Sequence, residues 1–150
     1  MRIVIQRVSQ ASVTIDGVLH SPIGRGMLIL IGIEHDDGPE DISWLVRKVS
    51  ALRIFDDGQG VMNVDVRQTD GEARGVSHFP LNAVTRKGNR PSYIRAARED
   101  VAVPLYERFL AELSETLAKP VAAGVFGADM QVGLVNDGPV TIIIDSRFRE

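Results

Sequence analysis

The sequence predicts a single α+β domain on a largely antiparallel sheet, and three observations predict it. Apolar alternation rich in valine and isoleucine marks both ends of the chain, two segments between them carry helical periodicity, and strands and helices follow without the strict strand-helix-strand rhythm of a parallel fold. At 150 residues the chain has the size of one ordinary domain, and such a domain buries about two-thirds of the surface its unfolded form exposes. There is no internal repeat and no linker composition, so residues 1–150 are expected to form one unit.

The elements follow in order. Arg2 to Val8 and Ala11 to Ile15 alternate as strands, and Asp16-Gly17 is a hairpin signal. Gly24-Arg25-Gly26 reads as a turn leading into Met27-Leu28-Ile29-Leu30-Ile31, a short β-branched run fit for a central strand. From Asp36 to Leu52, an Asp-Gly-Pro start is followed by Ile42, Leu45, Val46, Val49 and Leu52 on one helical face. Arg53-Ile54-Phe55 and Asp56-Asp57-Gly58 lead to Val61-Met62-Asn63, and Gly75 to Phe79 reads as a strand ending near a proline. Asp100 to Ala118 is the clearest helix, with Leu105, Phe109, Leu113 and Leu117 at four-residue steps, Pro104 tolerable only in its first turn, and Pro120 as a stop. Met130 to Val135 and Val140 to Asp145 read as two strands around a proline-containing turn.

Composition narrows the function classes. The chain has 44% hydrophobic and 25% charged residues, which excludes low-complexity and collagen-like chains. It has no cysteine, which excludes disulfides, thiolate zinc sites and a cysteine nucleophile. The start, Met1 to Val8, is broken by charge too early for a signal peptide, and the apolar run Met27 to Ile33 is too short to span a bilayer, so a cytoplasmic protein without membrane insertion is expected. A net charge of -3 argues against coating nucleic acid by bulk attraction. Yet from Ala73 to Arg98 there is no Asp or Glu, while Arg74, Arg86, Lys87, Arg90, Arg95 and Arg98 fall inside. Two readings stand for this window: a local face for phosphates, or a solvated basic surface.

The search for chemistry is mostly subtractive. His20, His35 and His78 lie in separate contexts without metal-ligand spacing, no glycine-rich phosphate loop precedes a helix, and no G-x-S-x-G elbow occurs. Ser77 and His78 are adjacent, but neighbours on a strand point to opposite faces, which places them badly for a Ser-His pair. His78 has the right range for acid-base work, and a lone histidine at a strand end also serves structure. Gly138-Pro139 is either an ordinary turn or a rigid pair of carbonyl acceptors for an ammonium group.

A set of short segments in fixed order carries a family likeness: Gln6-Arg7-Val8, Ala11-Ser12-Val13, Gly24-Arg25-Gly26, Gly32-Ile33-Glu34, Arg53-Ile54-Phe55, Met62-Asn63, Arg90-Pro91-Ser92, Ala128-Asp129-Met130-Gln131-Val132 and Asn136-Asp137-Gly138-Pro139-Val140-Thr141. The sequence resembles the D-aminoacyl-tRNA deacylases over essentially its full length. The resemblance implies that family's half-barrel with flanking helices, a homodimer with active sites at the subunit interface, and cleavage of the ester joining a D-amino acid or glycine to the terminal ribose of a tRNA. It implies no cofactor and no metal. Gly138 and Pro139 inherit a role in recognising the substrate α-amino group from the partner subunit, Arg7 resembles the arginine that braces that loop, and Phe126, Ala128 and Met130 resemble pocket or adenosine-side positions. Thr141 closes the same motif.

One segment departs from the family pattern. The family's second motif reads Ser-Gln-Phe-Thr-Leu, whereas this chain reads Ser77-His78-Phe79-Pro80-Leu81. Pro80 has neither a hydroxyl nor an N-H, so the threonine's role does not carry over. The chemistry then rests on main-chain groups such as the Phe79 N-H together with the ribose hydroxyl, or on His78 as acid-base. Otherwise the chain is a diverged protein that binds an aminoacyl-tRNA end with altered substrate or no turnover, or a structural dimerisation domain.

Overall fold

The computed structural model describes residues 1–150. The elements run β1 (Arg2–Ile15), β2 (Val18–Ile23), β3 (Gly26–Gly32), α1 (Pro39–Ser50), β4 (Phe55–Asp56), β5 (Met62–Val64), β6 (Glu72–Ser77), a 3-10 turn (Phe79–Asn82), α2 (Glu99–Leu117), β7 (Ala122–Ala123) and β8 (Gln131–Asp145). β1 is the central strand. Along one edge it pairs antiparallel with β3 through its first half and with β2 through its second, and along the other it pairs antiparallel with β8 from Arg2 to Thr14. β6 and β7 then add in parallel beyond β3, so the sheet is mixed, antiparallel around β1, and curls nearly into a barrel.

A register slip in β1 explains how one strand serves two cores. Ile3 and Ile5 point into the larger core, whereas Val8, Ala11 and Val13 point into the smaller one on the other face. Strict alternation would keep 3, 5, 11 and 13 on one side. The pairing with β8 slips between Val8 and Gln10, and such a bulge moves the residues beyond it to the opposite face. Arg7 lies before the slip, on the face of Ile3 and Ile5, which aims its guanidinium toward the larger core.

Both helices cover that larger core. Ile42, Leu45 and Val49 of α1 and Ala102, Tyr106, Phe109 and Leu113 of α2 pack on Met27, Ile29 and Ile31 of β3. Burial of each large apolar side chain is worth about 1.5–3 kcal/mol. α1 starts where Gly38 donates its N-H to the Asp41 carboxylate at 2.9 Å, one half of a capping box, with Pro39 at the first helical position. α2 ends at Ala118 in the left-handed conformation, φ 51°, two residues before Pro120.

Three expectations are corrected. Asn136 to Pro139 does not reverse the chain: β8 is one strand, because its two halves pair with successive stretches of a single unbroken partner. Pro104 sits inside α2, beyond its first turn, on an exposed position, so the helix passes through it. Arg74 is fully buried, donating to the carbonyls of Ala123, His20 and Ser21, and has no part in a phosphate-facing surface. Burial holds its guanidinium below the usual arginine range, and its Nε has no partner.

Close backbone approach fixes two glycines. A Cβ on Gly26 would lie 1.9 Å from the Glu72 carbonyl oxygen across the parallel β3-β6 pair, and one on Gly75 would lie 2.4 Å from the Leu110 side chain of α2. A carbonyl locked in a sheet cannot retreat, whereas a leucine can rotate. Gly26→Ala is therefore expected to cost about 3 kcal/mol or more and Gly75→Ala about 1–2 kcal/mol in urea unfolding. Equal costs would contradict this account.

Candidate active site

β3 and β6 run parallel and end side by side, and a crevice opens beyond their carboxyl ends, where ligands bind in many α/β sheets. The cavity there measures about 470 Å³, in the range of small-molecule sites. Ser77, His78, Phe79 and Pro80 form one wall, continuing from the end of β6 into the 3-10 turn, and Phe126, Ala128 and Met130 form the facing one. Ile31, Ile33, Ala97 and Ala102 line its floor with apolar surface. The sequence thus names seven residues of one cavity from two stretches almost fifty positions apart. Ser77 and His78 both face it, because β6 stops at Ser77 and strand alternation no longer governs His78.

The turn after β6 dictates which amides are available. Leu81 donates to the His78 carbonyl at 3.2 Å and Pro80 has no N-H, so Phe79 carries the amide at the start of the turn, outside the turn's own ladder. Asn82, buried, donates to the Ile33 carbonyl at 2.9 Å and ties the turn to the end of β3. The Phe79 ring is exposed and meets Tyr93 edge-on at 5.0 Å between centroids. Burial pushes the His78 imidazole below the ordinary histidine range.

Arg7, Gly138, Pro139 and Thr141 lie elsewhere in the chain and line no part of this cavity. Between the pairs Gln6-Thr141 and Val8-Asn136, β1 has one residue, Arg7, and β8 has four, Asp137 to Val140, which loop outward. Arg7 fills the gap: its Nε donates to the Asp137 carbonyl at 2.8 Å, and a terminal nitrogen donates to the Ile54 carbonyl at 2.7 Å and reaches the Asp56 carboxylate at 3.3 Å. The Asn136 side chain accepts from the Val140 N-H at 3.0 Å and donates to the Thr141 hydroxyl at 3.1 Å, closing the base of the loop. The Gly138-Pro139 bond is cis. Gly138 has φ +132°, and a Cβ there would stand 2.8 Å from the Arg7 guanidinium, so only glycine fits.

The family model described as D-Tyr-tRNA(Tyr) deacylase matches residues 4–145. The chain belongs to that family. It is 62% identical over 150 residues to a D-aminoacyl-tRNA deacylase of Porphyromonas gingivalis and 61% identical to one of Chromobacterium violaceum, covering 100% of both chains in each case. Among solved structures, the c-Myc DNA Unwinding Element Binding Protein superposes with a TM-score of 0.92 at 39% identity, over 97% of this chain and 98% of that one. The expected family and fold are therefore those of the structure.

Of the acid-free window, Arg86, Lys87 and Arg90 are exposed on a loop closed by the Val84-Ser92 bridge, while Arg95 pairs with Glu34 at 2.8 Å. Sequence reasoning missed Glu99, which lines the cavity from the start of α2, and the apolar floor. No motif marks them, since Glu99 looks like any acid favoured in a first helical turn.

His78 has its pKa lowered in the folded state, so folding favours its neutral form. Its contribution is present above the unfolded value, about 6.5, and is lost as pH falls from there toward the folded value. The stability difference between the native chain and His78→Gln, measured by urea unfolding, is expected to shift against the native chain as pH drops from 7 to 5. A pH-independent difference would rule this out.

Proposed function

We propose that this chain hydrolyses the ester bond of D-aminoacyl-tRNA, and of glycyl-tRNA, releasing free amino acid and intact tRNA. The observation that carries the reading is full-length identity of 62% to a D-aminoacyl-tRNA deacylase, with no gap in coverage at either end. That identity favours turnover over a binding protein without catalysis. Water attacks the ester carbonyl, the acyl-oxygen bond breaks, and the proton ends on the ribose oxygen. The Phe79 N-H is the donor for the developing oxyanion, a contribution worth about 2.7–4 kcal/mol when preorganised. Ser77, His78 and Pro80 shape the wall around it, and the neighbouring ribose hydroxyl supplies proximity. Phe126, Ala128 and Met130 hold the terminal adenosine side.

The acceptor of the substrate ammonium is the pair of carbonyls at Gly138 and Pro139, braced by Arg7 and closed at its base by Thr141. Because that loop and the cavity are separate in one protomer, a complete site takes the loop from a second copy. Two features favour a homodimer: β8 pairs with β1 on one edge only, and it exposes Val135 and Ile143. No helix is long and apolar enough to cross a membrane, and the working location is the cytoplasm, where tRNA is charged. No cofactor takes part.

The deciding assay follows release from tRNA charged with D-Tyr, L-Tyr or Gly. Faster release of D-Tyr and Gly than of L-Tyr is expected, and rates equal to spontaneous hydrolysis across several D-aminoacyl esters would end the enzymatic reading. His78→Gln should change kcat by less than about 10-fold, since positioned general acid-base groups contribute more than that.

Assembly of the site across subunits is tested by mixing two inactive variants. Gly138→Ala disrupts the loop, and Ala128→Trp fills the cavity. Unfolded together and refolded, they form heterodimers with one intact site, restoring about a quarter of native activity under random pairing. Absence of restoration in verified heterodimers would place loop and cavity in the same subunit's service.

A further inference from the structure

Glu99 is the one carboxylate in the cavity wall, and the reaction described above does not use it. It opens α2, directly after Arg98, which caps the helix with extended backbone. The nearby ion pair engages Glu34 with Arg95 and leaves Glu99 aside. One Glu99 oxygen comes within 3.5 Å of where a Cβ on Gly127 would stand, and Gly127, at φ +74°, is itself part of the cavity lining. The carboxylate therefore lies over the Phe126-Gly127-Ala128 edge of the crevice. Glu99 is exposed between Arg98 and Asp100, at the mouth of a cavity whose lining includes the apolar Ala97, Ala102 and Phe126.

An ionised carboxylate only accepts hydrogen bonds. At the mouth of the slot, where a seated ligand displaces its water, it rewards a ligand that carries an N-H donor there and penalises one that presents a carbonyl in the donor's place. We propose that Glu99 is a specificity-determining residue, accepting a hydrogen bond from an N-H donor on the part of the substrate that enters the cavity. Under the deacylase reading, on which this rests, the α-ammonium is taken by the Gly138 and Pro139 carbonyls, and the aminoacyl end of a tRNA offers two further donors: the exocyclic amine of the terminal adenosine and the side chain of a basic amino acid. The chemistry is the same for both.

The experiment compares the native chain with Glu99→Ala and Glu99→Gln in two arms. In one, D-Tyr esters end in adenosine or in purine riboside, which lacks the amine. In the other, D-Lys and D-norleucine esters share the adenosine end. The native chain is expected to lose about 10-fold or more in kcat/KM when the relevant donor is removed, and Glu99→Ala to lose that discrimination. Glu99→Gln keeps a neutral acceptor, so it should retain discrimination in the amine arm and lose it in the lysine arm. A discrimination ratio unchanged by Glu99→Ala in both arms overturns the proposal, as does a uniform loss across all four esters.

The same four ligands, made as non-hydrolysable 3'-amide analogues of the nucleoside, provide a readout free of turnover. If no ester is cleaved yet analogue affinity still follows the donor in a Glu99-dependent way, the deacylase reading fails and the site stands. If esters are cleaved and neither kinetics nor affinity follows the donor, the site fails alone. Absence of measurable binding by every analogue also overturns the proposal.

Discussion

The pairing of β1 with β8 passes a point where one strand has a single residue and the other has four, and the guanidinium of Arg7 is what bridges it. Two long strands can tolerate such an excursion only if the carbonyls it strands find donors, because a buried unpaired carbonyl costs about 1–3 kcal/mol. Arg7 supplies them on diverging sides, to Asp137 in the loop and to Ile54 beside β4. One planar fork therefore fixes the position of the loop relative to the sheet and ties the small β4-β5 pair to both. A lysine, as a point donor, could serve one of these carbonyls and would abandon the other.

That arrangement shows why the sequence told so much of the sheet and misread its closing strand. Apolar alternation at Ile3 and Ile5 and the apolar run around Ile29 report buried residues, whereas the slip that moves Val13 to the other face leaves no local mark. Asn136-Asp137-Gly138-Pro139 contains the residues of a reversal, and local chemistry alone assigns one. What overrides it is non-local: β1 is unbroken over 14 residues, so its partner continues in the same direction on both sides of the excursion. Arg74 was misread for a similar reason. A basic residue between Ala73 and Gly75, in a window rich in arginine and without acids, reads as surface, and nothing nearby shows that three backbone carbonyls from distant segments surround it.

The candidate site was legible where a motif marks it and silent where only packing does. Ser77 to Pro80 were named from the motif, Phe126, Ala128 and Met130 through the family resemblance, and all line one cavity. Glu99 and the apolar floor carry no motif and emerged only from the shape. Pro80 illustrates the difference between structural and chemical fit. At the start of a 3-10 turn its missing N-H removes no bond the turn would make, so the fold accepts it readily. Against the threonine that the family resemblance implies at this position, proline lacks a hydroxyl, and for that reason the proposed reaction is drawn through main-chain groups.

Electrostatics around the cavity add an orientation to that chemistry. Burial biases His78 toward its neutral form, while Glu99 brings a carboxylate to the edge. Outside, Arg86, Lys87 and Arg90 stand exposed on the loop that follows the Phe79 turn. For the proposed aminoacyl-tRNA substrate, the cationic loop offers phosphates a partner and the cavity lining offers none, so phosphates are favoured outside and the aminoacyl end inside. The reverse orientation would set phosphate against Glu99 and leave the cationic loop without a partner. The charge pattern thus favours a substrate whose charge changes sign along its length.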